Sequence, residues 1–157
     1  MTNRGFLMIE IIISAAIIAG ALVALTGVIY KLSYLSSDNL RRTQAGFLVT
    51  EGVEAMRLLR DDDWDTKIAS LIVGQDYYLA WSAGQWQTTT TPVKIDNLFF
   101  RTLTISSAFR DATGDLATVG TVDSNARRLT VMVSWLNSAG ATSSRALQIY
   151  LTNLFAD

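Results

Sequence analysis

The 157-residue chain contains no cysteine, no histidine and one proline. Without cysteine there is no disulfide, no thiolate metal site, no acylated lipoprotein terminus and no thiol nucleophile. Without histidine the usual general base at neutral pH is missing, and with it nearly every transition-metal site. Charge is also sparse. Only 17% of residues are charged, 13 Lys and Arg against 14 Asp and Glu for a formal net charge of −1, so no basic field attracts a polyanion and nucleic acid is not an expected partner. No nucleophile stands with a base, no glycine-rich loop suits a phosphate, and no pair of acids has positional logic, so the chain reads as a non-enzyme without a cofactor. At about 150 residues per domain there is room for one domain and a long accessory element.

What is abundant is apolar surface. Half of the residues are hydrophobic, and the excess is concentrated near the N-terminus. All twenty residues at 11–30 are uncharged, with Ser14, Gly20, Thr26 and Gly27 the only polar or flexible ones. As a helix this run spans about 30 Å, the hydrocarbon thickness of a bilayer, and predicts a membrane-spanning segment. Arg4 precedes it and Lys31, Arg41 and Arg42 follow it, so short-range charge does not set the orientation. A cleaved secretory signal, with Ala19-Gly20-Ala21 as its small-residue site, is the alternative. The length of the run and the carboxylate of Glu10 oppose it.

Glu10 is the odd residue, because an acid inside a membrane helix costs on the order of 3 kcal/mol and usually has a partner. Arg4, six residues back, is not at a helical pairing distance. The plainer reading is an interfacial Glu that reaches out to the headgroups.

The pattern around it is more specific. A short leader ending in Arg4, then Gly5-Phe6-Leu7-Met8-Ile9-Glu10 and the apolar run, resembles the signature of the type IV pilin family. The resemblance implies that a prepilin peptidase cuts between Gly5 and Phe6 and methylates the new Phe6 amine, leaving Glu10 as the fifth mature residue. It also implies a partner for Glu10, the N-terminal amine of a neighbouring subunit. Family members often carry a proline late in this helix; here Gly27 lies in that region and the first proline is Pro92.

Beyond Tyr30 the helical pattern continues. Leu48, Gly52, Ala55, Met56 and Leu59 form a stripe suited to a sheet, Glu54 and Arg57 are spaced for a pair on the other face, and Asp61, Asp62 and Asp63 oppose the helix dipole, so the helix is expected to stop near Arg60. The acids at 61–65 read as a solvated helix end with Trp64 tucked inward, calcium being the alternative; Asp111, Asp115 and Asp123 read as turn formers. After Gly74 the period becomes two. Residues 77–81 and 85–89 flank Ser82-Ala83-Gly84 as a hairpin, residues 99–107 form the next strand, and residues 108–125 read as an exposed, partly mobile loop. Leu129, Val131, Val133 and Trp135, then Leu147, Ile149 and Leu151, predict a C-terminal hairpin, with Trp135, Tyr150 and Phe155 expected to be buried. Thr88 to Thr91 before Pro92 reads as an ordinary loop, O-glycosylation being the alternative.

The expected fold is therefore α+β, a long N-terminal helix packed on an antiparallel β-sheet head. Its expected parts are a leader at 1–5, a transmembrane and filament-core helix at 6–30, an amphipathic continuation at 31–60 and the head at 61–157. In the head, Ala45-Gly46-Phe47 through Arg57 to Trp64, a Trp-containing strand, and Val131-Met132-Val133-Ser134-Trp135 with Tyr150-Leu151-Thr152-Asn153 are similar to PilV-like minor pilins, a group of pilus modification proteins. The resemblance implies a minor pilin or pseudopilin of a type IV pilus or a related secretion or DNA-uptake filament. Gly5 and Phe6 would be its processing positions and Glu10 its assembly residue. Implied partners are the prepilin peptidase, other pilin subunits, membrane lipid and an inner-membrane assembly platform. The chain would start as a single-pass inner-membrane protein and end in an extracellular or periplasmic filament. The competing reading is a single-pass anchor carrying an extracytoplasmic binding domain.

Overall fold

A computed structural model describes the backbone of residues 4–156 and the side chains of residues 8–156. The chain divides into two compact units, Met1–Leu40 and Arg41–Asp157. A single helix, α1, runs over Arg4–Asp62.

In the first unit, every described side chain at 8–37 is exposed. Ile11, Ile17, Leu22, Val23 and Ile29 are each more than half open, so no face of this helix is covered by its own chain. Thr26 donates its hydroxyl to the Leu22 carbonyl at 2.8 Å, which satisfies a polar group inside the apolar run. The helix is long and apolar enough to cross a membrane.

In the second unit, the part of α1 from Arg41 onward buries Ala45, Val49, Val53, Met56 and Leu59. Gly52 and Ala55 lie in the same buried stripe, whereas Leu48 is only half-buried, so the stripe is centred on Val49 and Val53 rather than on Leu48. The Glu54–Arg57 pair forms at 2.8 Å. The helix ends two residues beyond Arg60, and a π-helical turn at Asp65–Ala69 follows, which sequence periodicity did not suggest. Asp63 prepares that turn, its carboxylate accepting bonds from the Thr66 amide at 3.1 Å and hydroxyl at 2.6 Å. Trp64 is buried as expected.

Seven strands make one antiparallel sheet among the described residues: β1 (Asp76–Ser82), β2 (Gln85–Thr89), β3 (Lys94–Ile95), β4 (Phe99–Arg110), β5 (Leu116–Ala117), β6 (Thr121–Leu136) and β7 (Thr142–Thr152). The main path is β2-β1-β4-β6-β7, and β3 and β5 pair with β4. Ser82 pairs with Gln85, leaving Ala83 and Gly84, both at positive φ, as the two-residue turn that matches strand twist. The inner face presents Phe99, Leu103, Ile105, Leu129, Val131, Val133 and Trp135 to the helix stripe.

Two expectations are corrected. Residues 108–125 are mostly exposed, as expected, but are not one loop: they include the end of β4, β5 and the start of β6. Phe109 and Arg110 pair with Val122 and Thr121 beyond a bulge at Ser107/Ala108, and β5 pairs back on β4. Polar turn chemistry replaces apolar burial there: Asp111 Oδ1 accepts from the Thr113 and Asp115 amides, and Arg110 bonds Asp123 at 2.6 Å and the Gly114 carbonyl. The other correction is at the C-terminus. Trp135 is buried, but Tyr150 is 37% and Phe155 76% exposed. Tyr150 faces outward opposite Arg128, so β7 is held by its ladder along β6 from Ala126–Thr152 to Leu136–Thr142 and by buried Leu151.

Candidate functional site

The positions expected to serve processing and assembly, Gly5, Phe6 and Glu10, lie at the start of α1. Gly5 and Phe6 are helical in backbone, and the Phe6 side chain lies outside the described residues. Glu10 shares one side of the helix with Ser14 and Ile18, and with Ile11 and Ala15 it lines a shallow notch. The small side chains of Ser14 and Ala15 leave room beside the carboxylate. The residues one turn away, Phe6, Leu7, Ile13 and Ser14, carry no positive side chain, so a charge partner for Glu10 must come from elsewhere than its own helical neighbours.

In the head, the joint between helix and sheet is built around Arg101, a residue the sequence reading passed over. It alternates inward with Phe99 and Leu103 and is buried. Its guanidinium donates to the Leu48 carbonyl at 3.1 Å, meets Glu51 at 3.3 Å and lies 5.4 Å from the centre of the Trp86 ring. Burial pulls its proton affinity below the usual arginine value, and Glu51 opposes that shift. Gly52 makes the approach possible, because a Cβ there would fall 2.9 Å from both Arg101 Cδ and Val131 Cγ1. A lone glycine in a helix stripe, facing an inward arginine on a strand, is the signal that could have located this joint.

The acidic groups are tied up locally. Asp61 pairs with Arg60 at 2.8 Å and Asp62 with Lys67 at 3.2 Å. Hydrogen bonds from Thr66 hold Asp63 below the ordinary carboxylate range, those from Thr113 and the Asp115 amide do so for Asp111, and that from Arg110 does so for Asp123. Asp111 and Asp123 therefore act as turn and staple acceptors, and Asp115 lends its carbonyl to the Asp111 amide. Among the described residues no group of three or more acidic side chains is arranged to hold a metal ion.

Comparison with known proteins gives no match to a family model, to a curated protein or to a solved structure.

Proposed function

We propose that the chain is a structural subunit, a minor pilin or pseudopilin, of a type IV pilus or a related secretion or DNA-uptake filament. The observation that supports this most is the surface of α1 at 8–30, exposed and predominantly apolar on every side with Glu10 as its single charged residue. Such a surface is stable in lipid and, outside lipid, against other apolar helices. In a plain anchor the acid could serve only by reaching out to the headgroups. A filament gives it a partner: the α-amine of processed Phe6 is mostly cationic at neutral pH, and at 4 Å and an effective dielectric near 20 it would attract a neighbour's Glu10 by about 4 kcal/mol. That offsets the cost of an acid in lipid and favours one axial register.

In this reading prepilin peptidase removes residues 1–5 and methylates Phe6, the subunit waits in the inner membrane as a single-pass protein, and an assembly platform inserts it among other pilins. The chemistry is done on the chain, not by it.

The test is the mass of the native N-terminus with filament incorporation. N-methylated Phe6 is expected, and Gly5→Leu is expected to block the cut; an unprocessed N-terminus in a cell that holds the peptidase assigns the chain to the plain anchor instead. Glu10→Gln is expected to leave insertion and cleavage intact and to lower incorporation into sheared filaments about a hundredfold, because a buried ammonium loses its partner. Equal incorporation at equal expression refutes the charge pairing.

A further inference from the structure

A cleft of about 270 Å³ opens beside the β1–β2 turn. Two of its lining residues are Trp81 and Trp86, set edge to face with ring centres 5.2 Å apart and planes at 74°. Leu58, Leu59, Asp62 and Gln85 complete most of the lining. Cross-strand pairing explains why the two indoles touch. It does not explain why Trp81 remains 62% exposed beside an equally open Leu58, since a ring that served only the hairpin would gain by folding further over it.

Charge decides what such a cleft accepts. Residues 60–67 hold four carboxylates, Asp61, Asp62, Asp63 and Asp65, against two cations, Arg60 and Lys67, at and just beyond the C-terminal end of α1, where the helix dipole is negative. The corner is electronegative, so it disfavours anions. Trp86 already receives one cation, Arg101, whose charge Glu51 offsets. Among the described residues no cation lies over the Trp81 ring. Asp62, 63% exposed in its side chain, is held by the Lys67 ammonium at 3.2 Å.

We propose that this cleft binds a small substituted-ammonium cation, of the tetramethylammonium or choline class, against the indoles with its charge toward Asp62. Indole faces attract a cation, and methyl groups around the nitrogen lower its hydration and match the apolar lining. A quaternary nitrogen also needs no hydrogen-bond acceptors, which suits a cleft lined mainly by indole and leucine surface, with Asp62 and Gln85 beside it. Lys67 acts as an internal competitor for the carboxylate. The inference is independent of the filament reading, and its test uses neither processing nor assembly.

The full chain, in a non-ionic polyoxyethylene detergent at constant ionic strength, is titrated with tetramethylammonium chloride and with choline chloride while the indole N–H resonances of the four tryptophans are followed by NMR. Saturable shifts are expected at Trp81 and Trp86 and not at buried Trp64 and Trp135, with a dissociation constant on the order of millimolar. Trp81→Ala should weaken binding at least about tenfold, and Trp81→Phe, which keeps a ring and the fold, by less. Asp62→Asn should weaken it severalfold, whereas Lys67→Gln should tighten it by freeing the carboxylate. Neutral neopentyl alcohol should not saturate the site, and phosphocholine should bind less well than choline. The proposal is overturned by the absence of saturation, by equal binding of neopentyl alcohol, by tighter binding of phosphocholine, which would point to a lipid headgroup site, or by weaker binding in Lys67→Gln.

Discussion

Arg101 stands at an inward position of β4 where its neighbours on that face are Phe99 and Leu103. The alternation of that strand was legible from its apolar residues, but a guanidinium is ordinarily read as outward, and only the helix glycine opposite it makes room. Gly52 could be read as a stripe position, yet not as the seat of a buried charge, because nothing local in either segment names the other. Asp123, expected as a turn former, lies instead within β6 opposite Ala108, where its carboxylate accepts from the Asn125 amide and from Arg110 of β4, a partner that no short-range reading names. Its folded proton affinity lies below the unfolded value near 3.9, so the stabilisation it gives is fully present above that pH and is lost as pH falls through the lower folded value. Asp123→Asn should therefore destabilise the head at pH 7 by up to about 1 kcal/mol, a small figure because Arg110 is half open to solvent. The difference between denaturant melts of the two proteins should shrink as pH is lowered from the unfolded value through the lower folded one. A constant difference across that range would show that the pair contributes no charge-dependent stability.

Elements were readable where burial and period agreed. The helix stripe, the Ala83-Gly84 turn and the C-terminal hairpin all combine an apolar face with a turn residue of the right kind, and each is present. The reading failed at residues 108–125, where strand pairing persists without a run of apolar residues to announce it. There the ladder is kept by the bonds of Asp111 and Arg110 and by Gly120, whose φ of +152° suits glycine and whose Cβ, if added, would run into the Arg110 carbonyl. Backbone is a harder obstacle than a flexible side chain. Gly120→Ala should cost about 1 to 3 kcal/mol, and amide hydrogen exchange should rise at Phe109, Arg110 and Val122 while the β6–β7 ladder stays protected. Unchanged protection at these amides would mean that this end of the sheet tolerates the shift.

At the scale of the molecule, the α+β arrangement was legible because apolar excess and period change sharply along the chain, and the two units differ accordingly. Unit Arg41–Asp157 has its own core of helix stripe, Trp64, Ile68 and sheet; the exposed apolar helix before it has none. Residues 41–157 produced alone should therefore be soluble and monomeric, with a mixed helix and strand circular dichroism spectrum and a single cooperative melt. A disordered spectrum would mean that the head folds only in company. Being soluble without neighbours then depends on the sheet's ends. β7 closes the sheet path with eleven residues and one unpaired edge, the kind of strand on which another chain can add itself and start an aggregate. Its only charged residue is Arg145, which is on the inward face opposite Val133 and whose guanidinium would lie 3.6 Å from a Cβ at Gly46. An inward charge on an edge strand makes the addition of a foreign strand costly, since the newcomer would have to desolvate it. Arg145 thus acts as a gatekeeper against fibre formation: heads carrying Arg145→Val should keep their fold by circular dichroism yet scatter more light and bind an amyloid dye on storage, and heads that remain clear would show that the edge is protected by other means.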